Sequence, residues 1–430
     1  MEEKLMKKIF SIKMMDWAIE LFPINRSITG DGLRSTIKFI QKKINQNFKK
    51  KKIKTNTKVY DWRIPKEWSA KKAVIIDTKG QKICDFKDNN LHLLGYSKKI
   101  NKVMSFERLK KNIFYLKKQP NSIPYLTSYY KNHWGFSLKY NQFKKLKKDR
   151  KYKVVIDTKH FNGNLEYTEL LIKGKSKKEI LIVSYICHPS MANNELSGPL
   201  VVMALSKILK PQKYSVRLLL IPETIGAIAY IRKNYSNLKN NLIAGFNLTC
   251  VADKGPFSLI SSKEENTYAD KIAKRILSKT KKFKIFPFLK RGSNERQFGC
   301  QNLNLPFVTI CRTRFGDYKE YHTSDDNLKF INEKNLRKSL VQILLIINEI
   351  QKNKIYVKQL NCEPFFSKYN LVRSTRVEAN KLEKNLFDIS AYADKNSDEN
   401  DLASKLGIKI KDIKKNIEIL KKKKILKEFI

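Results

Sequence analysis

The sequence predicts an α/β protein: a mixed sheet flanked by helices, with a small inserted β-rich domain and a C-terminal winged helix. Three observations carry this. From about Tyr167 to Gln351, apolar runs of strand length alternate with helical stretches, the pattern of a sheet sandwiched between helices. From Val59 to about Asp157 the pattern changes to short strand-like runs around turns. From Lys381 onward the chain reads as helix, tight turn, helix, with the turn at Gly407-Ile-Lys-Ile.

In order along the chain, Met1 to Asn45 is expected to be helical. Met14, Ala18, Leu21 and Phe22 recur at helical spacing, and Pro23 stops that helix. Arg26 to Gly32 is a turn-rich loop, after which Leu33 to Ile44 resumes the helical pattern. The basic run Lys49 to Lys54 is expected to be a solvated surface turn. Lys72–Gly80 and Gln81–Phe86 read as two strands around a Lys-Gly turn, and Tyr152–Ile156 as another strand. The main sheet is then expected from Glu169–Ile172, Ile180–Ile186, Arg217–Ile221, Leu242–Val251, Phe257–Ser261 and Pro306–Cys311. Leu200–Lys210, Ala227–Lys233, Thr267–Leu277 and Asn335–Gln351 read as its helices. The resulting division is 1–55 with 160–360 as the α/β domain, 56–159 as the insertion, and 380–430 as the winged helix.

Composition narrows the class. A chain of 430 residues with 41% hydrophobic and 11% aromatic content has ample material for sizeable cores. No run reaches the roughly 18 apolar residues that cross a bilayer, so no membrane span is expected. The acidic Glu2-Glu3 pair makes a poor signal peptide, and the six cysteines are scattered without a Cys-x-x-Cys pair; both fit a reduced, cytoplasmic protein. The formal net charge of +49 raises nucleic-acid binding, but lysine is spread over almost every segment rather than gathered on one motif. A single winged helix appended to an enzyme leans toward docking, with DNA as the lesser reading.

The chemistry concentrates where apolar runs stop. Ile180 to Ile186 reads as a strand buried on both faces, and Pro189 forces the chain out of the sheet just after His188. A polar loop follows, before a helix opens at Ser197-Gly198-Pro199. Glu223 follows the run Arg217–Ile221, Asp253 follows Leu242–Val251, and His322 lies in an acid-flanked cluster, Glu320 to Asp326, at another expected strand end. In open α/β sheets such strand ends collect ligands and catalytic groups. Imidazoles and carboxylates converging there suit a zinc site with one position left for water, whose proton a carboxylate takes. The alternatives are a loop histidine with a structural hydrogen bond, and Glu223 and Asp253 as helix caps.

The segments Ile186 to Pro199, Pro222 to Gly226, Arg291 to Gln297 and Glu320 to Ser324 resemble a bacterial family of uncharacterised proteins with a zinc-aminopeptidase-like domain. Asp61 to Trp68 and Ile123 to Gly135 resemble that family's inserted region, so the similarity covers nearly the whole chain. The resemblance implies a fold like the co-catalytic zinc exopeptidases, one or two zinc ions, and His188 and His322 as ligands. It implies Glu223 as general base, Asp253 as a further ligand, and Thr224 where those enzymes carry a second glutamate. The family's genetic surroundings imply a sugar-linked amide as substrate.

Two positions depart from the family pattern. Asn194 stands where the family has the metal-bridging aspartate, with Glu195 one residue later, and Asn294 replaces another aspartate. A neutral amide binds zinc less well than a carboxylate, so either one zinc suffices, or Glu195 has taken over, or activity is lost. Glu295, Arg296, Arg312 and Arg314 are candidate substrate contacts, the arginines as clamps for a carboxylate or phosphate. The expectation is a metal-dependent amide hydrolase acting on a small-molecule or peptide-like amide, with self-association open. The competing one is a catalytically degenerate binding protein with a docking or DNA-binding module.

Overall fold

A computed structural model describes residues 3–44, 47–300, 302–371 and 380–429. Its centre is an eight-stranded mixed sheet. The spatial order is Lys49–Lys54, Asn164–Ile172, Tyr214–Ile221, Ser176–Tyr185, Leu242–Leu248, Phe307–Cys311, Phe257–Ile260 and Phe283–Phe286. Tyr214–Ile221, Ser176–Tyr185, Leu242–Leu248 and Phe307–Cys311 run parallel to their neighbours among these four, so their carboxyl ends share one edge. The flanking Asn164–Ile172 and Phe257–Ile260 pair antiparallel with this group.

Successive side chains of a strand point to opposite faces, and both faces here are covered. Ile180, Ile182, Val216, Leu218 and Leu220 join one core with the helices Ser197–Ile208, Tyr268–Leu277 and Glu333–Lys352. Leu181, Val183, Tyr185, Leu219 and Ile221 join a second core with helix Ile225–Asn241. Burial on both sides explains why the central strands read as continuous apolar runs. Gly198 is fixed by close approach, since a Cβ there would lie 2.1 Å from Ser184 Oγ and 2.3 Å from the Leu248 carbonyl. That absence of a side chain lets the helix start sit directly on the central strands.

The inserted region builds a four-stranded antiparallel sheet, ordered Lys82–Asp85, Glu67–Asp77, Lys151–Phe161, Ile100–Ser105. Its Trp68, Ile75, Tyr152 and Val154 lie in the same core as Leu181 and Leu219 of the main sheet. At the C-terminus, helices Lys381–Tyr392, Glu399–Leu406 and Ile410–Lys422 enclose a core of their own with the antiparallel pair Tyr356–Lys358 and Leu426–Glu428. Gly407, at φ 64°, ends the middle helix in the left-handed region. Arg275 ties this unit to the body through bonds of 2.8 and 2.9 Å to the Asp398 carboxylate.

Several expectations are corrected. Lys49–Lys54 is an edge strand rather than a surface turn, pairing antiparallel with Asn164–Ile172. Its lysines lie opposite acids, Lys50 and Lys52 each 3.8 Å from Glu166, and a lysine-rich edge also discourages pairing with other chains. The strand expected to run to Val251 stops at Leu248, because Cys250 turns the chain at φ 51°. Strand Phe283–Phe286 was not expected; its exposed lysine and isoleucine hide the alternation of an edge strand. The N-terminal region breaks into Glu3–Ser11, Met14–Leu21 and Asp31–Lys43. Asn45, the end of the expected helical region, lies outside the described residues.

Candidate active site

The chain leaves the central strand at Tyr185 and passes through Cys187-His188-Pro189. The expected polar loop is instead a buried turn. Ala192–Leu196 forms a single π-helical turn, with Leu196 N–H donating to the Met191 carbonyl five residues back at 3.3 Å, and all five residues are buried. The π turn fits one more residue than an α turn. It brings Glu195, one position late, onto the ring of His188: Glu195 Oε2 lies 2.7 Å from His188 Nδ1. The orphan N–H groups at this helix start are met from outside. Asn193 N and Asn194 N donate to the Asp326 carboxylate at 2.6 and 2.9 Å, and Ala192 N to its backbone carbonyl at 2.9 Å. Burial pushes the Asp326 carboxyl up to about 7 against these hydrogen bonds.

With Nδ1 committed to Glu195, His188 turns Nε2 toward Glu223, whose Oε2 is 3.7 Å away. Burial opposes protonation of His188, but neighbouring groups overcome it and its pKa lies well above the ordinary value. The Cys187 sulfur is 3.6 Å from Nδ1, yet burial holds that thiol protonated, so the Glu195 charge carries the effect. Glu223 leaves the adjacent strand after Pro222. Its N–H meets Cys187 Sγ at 3.2 Å, and Ser293 Oγ donates to its Oε1 at 2.6 Å. Burial raises its pKa above the usual carboxylate range, against His188 and Ser293.

His322 completes the group, its ring centroid 5.6 Å from that of His188. It comes from the long turn-rich segment after Phe307–Cys311 rather than from a strand end, because that strand stops before Arg312. The inserted region holds it there. Tyr125 N donates to the His322 carbonyl at 2.8 Å, and Ser324 N to the Ile123 carbonyl at 2.9 Å. The Tyr125 ring stands 5.2 Å from both imidazoles, and Tyr321 stacks on His322 at 3.9 Å. Burial first, then the His188 charge, lowers the His322 pKa to about 3, so its imidazole is neutral and retains a lone pair. Thr224, at φ 60°, and His322, at φ 55°, both sit in the left-handed region, a strain of about 1–3 kcal/mol each that clusters at functional sites.

The other sequence candidates are placed as follows. Asn194 turns its side-chain oxygen to Tyr185 Oη, 3.1 Å away, and its amide nitrogen toward Met191 Sδ. Asp253 is neither a helix cap nor turned to the imidazoles. Its carboxylate takes Asn193 Nδ2 at 3.0 Å, Gly255 N at 2.6 Å and Thr313 Oγ1 at 2.8 Å. Asn294 Oδ1 accepts the Thr224 N–H at 3.1 Å. Glu295 is spent on Gly292 N, Ser293 N and Thr309 Oγ1 at 2.6–2.9 Å, which shapes the loop carrying Ser293. Arg296 reaches Thr224 Oγ1 at 2.5 Å beside Glu223. Arg314 pairs with Asp317 at 2.9 Å, and Arg312 packs over Phe257, 4.7 Å from its ring.

Four residues of the site went unread in the sequence: Cys187, Ser293, Tyr125 and Arg26. Arg26 is buried, donating to the His188 carbonyl at 2.9 Å and lying 3.8 Å from Glu195 Oε1. An arginine in a loop gives no hint of burial; Cys187, Ser293 and Tyr125 at least lie within segments singled out by resemblance. Among the described residues, Cys187, His188 and Glu195 form the group close enough to share a cation, within 4.8 Å of one another.

Residues 15–353 match the family described as a domain of unknown function, DUF4910. The chain belongs to that family. A Clostridium acetobutylicum protein is 41% identical over 359 residues, covering 82% of this chain and 81% of the relative. It is provisionally named a polysaccharide biosynthesis protein with an aminopeptidase-like domain. A crystal structure of a Clostridium acetobutylicum protein, provisionally called a peptidase, superposes with TM-score 0.78 at 38% identity over 96% of both chains. A zinc aminopeptidase from Bacillus subtilis superposes with TM-score 0.56 at 13% identity, over 79% of this chain and 95% of that one. The fold is therefore the mixed α/β fold of zinc aminopeptidases. No helix among the described residues is long and apolar enough to cross a membrane.

Proposed function

We propose that the chain is a metal-dependent amide hydrolase of aminopeptidase type that holds one divalent cation, zinc by its donor set. The observation that carries this is the meeting of His188, Glu223 and His322, far apart in sequence, at one end of the parallel strands. The donors this reading uses are one nitrogen each of His188 and His322, which serve one ion rather than two. Glu195 spends Nδ1 of His188, the carboxylate–histidine pairing that orients metal-bound imidazoles, and a cation would take Nε2 by displacing its proton. His322 has no ring hydrogen bond among the described residues and is neutral. They do not fit two ions, since Asn194, Thr224 and Asn294 are neutral and Asp253 is saturated. Glu195 is thus read as the partner that orients His188, not as a ligand.

A bound cation would supply Lewis-acid polarisation of a carbonyl and would acidify a water. Glu223 is the proton acceptor, at Oε2, with Ser293 holding the other oxygen. Tyr125 and Tyr321 wall the imidazoles from bulk water, and Arg296 stands beside Glu223 to meet a substrate's negative group. The Clostridium relative's name supports a polysaccharide-related amide as substrate. The cysteine pattern supports a cytoplasmic location, and the separate C-terminal core supports a winged-helix docking module at 380–430 beside the α/β body and the 56–159 insertion.

Purified protein supplied with zinc should carry close to one equivalent by elemental analysis, and His188→Ala should carry none. Zinc-free wild-type protein would overturn the proposal. A second reading, a silent binding protein, is favoured by the three neutral positions and by the Arg26 charge buried against Glu195. The double variant Asn194→Asp, Asn294→Asp separates them. Restoring both carboxylates should raise metal uptake above the wild type's if the other ligands are in place; unchanged uptake would favour the silent protein.

A further inference from the structure

Away from the imidazole site lies a cavity of about 950 Å³, between the N-terminal helix Glu3–Ser11 and helix Glu333–Lys352. It shares no lining residue with the site of His188, Glu223 and His322. Its floor and walls are apolar, from Met6, Ile9, Phe10, Pro256, Phe257 and Val341. Its charged lining residues are all basic, among them Lys254, Lys282, Lys338 and Arg312. Lysines at a rim are unremarkable in a chain of net charge +49. Arg312 is different, because it is only 7% exposed.

Its guanidinium lies over the Phe257 ring, and Nε and Nη1 are enclosed with no hydrogen-bond partner among the described residues. Burial lowers the Arg312 pKa, with Asp253 alone opposing it, and Asp253 is already held by Asn193, Gly255 and Thr313. A buried cation without a hydrogen-bonded counter-charge is costly, and native structures keep one where something else supplies the charge. The neighbouring Arg337 shows the contrast: it pairs with Glu333 and donates to the Phe10 carbonyl at 3.1 Å.

We propose that this cavity is a second binding site, for a small organic anion with an apolar body, whose negative group meets Arg312 and Lys338 while its body lies against Phe10, Phe257 and Val341. Area and charge act together there. A neutral apolar molecule leaves Arg312 uncompensated, and an inorganic anion leaves the apolar walls wet. The site stands whether or not the imidazole site hydrolyses anything.

The test uses 8-anilinonaphthalene-1-sulfonate, an aromatic anion that fluoresces when held in an apolar site, on the full-length protein in about 150 mM salt, where loose charge attraction is screened. Saturable binding near one equivalent is expected, displaced by octyl phosphate or decanoate but not by decanol or inorganic phosphate. Displacement by only one of the two anions identifies the head group. Arg312→Met should weaken binding about tenfold, Lys338→Glu several-fold, and His188→Ala not at all. Lys338 is exposed, so that variant reports on the site even if Arg312→Met fails to fold. Unchanged binding in Lys338→Glu and in folded Arg312→Met would overturn the proposal, as would binding that vanishes at this salt or is lost in His188→Ala.

Discussion

The acids beside the strand ends fall into two neighbouring sets that chemistry treats differently. On one side Asp253, Asp326 and Glu295 accept hydrogen bonds from backbone N–H groups and short side chains, and these take up their oxygens. On the other, Glu195 and Glu223 face imidazoles, with Glu223 Oε2 3.7 Å from His188 and Glu195 Oε1 without a hydrogen-bond partner among the described residues. All five are acids in or beside motifs, and their sequence context does not separate them. Saturation does: an acid filled by backbone donors positions the chain, and an acid with an oxygen left over can take a proton or a cation.

Substitutions can break that contrast. The largest effect is expected from Glu223→Gln, which keeps the Ser293 contact but removes the proton acceptor. Hydrolysis of an aminoacyl p-nitroanilide should fall about a thousandfold while bound zinc and melting temperature hardly move; coincident loss of zinc would make Glu223 a ligand instead. Asp326→Ala, on the saturated side, should do the reverse in kind. Stripping the acceptor from two buried N–H groups should cost about 3 kcal/mol in urea unfolding.

The same residue sharpens the contrast through pH. Its folded pKa, about 7, lies above the ordinary carboxylate value. Its contribution to stability is therefore fully present at low pH and is lost as pH rises from about 4 through 7. Asp326→Asn should flatten the stability–pH curve over that window, and an unchanged curve would mean that the hydrogen bonds, not burial, set its charge. The smallest effect is expected at the edge strand, where Lys52→Ala should change stability by less than about 0.5 kcal/mol, because a half-exposed ion pair at 3.8 Å is weak.

Much of the fold was legible because burial on both faces leaves an unbroken apolar run, as in Ile180–Ile186, and proline marks where it must end. Lys49–Lys54 was misread because an edge strand needs only one partner and tolerates lysine at every exposed position. Of the site, His188, Glu223 and His322 were legible as polar residues placed where apolar runs end or acids gather. Ser293 and Arg26 were not, since nothing local distinguishes a serine that will reach a glutamate seventy positions away from one that will meet water.

By itself the sequence determined the sheet, its helices and the chemical types available at the strand ends, because periodicity and chain breaks are local properties. The tertiary structure alone decided which acids remain available. Hydrogen-bond saturation depends on donors brought from distant segments, and a π turn, visible only once folded, decides that Glu195 meets His188. It also decided that Arg312 is buried with two guanidinium nitrogens unpaired among the described residues, since burial of a charge belongs to the packing around it and not to the residue.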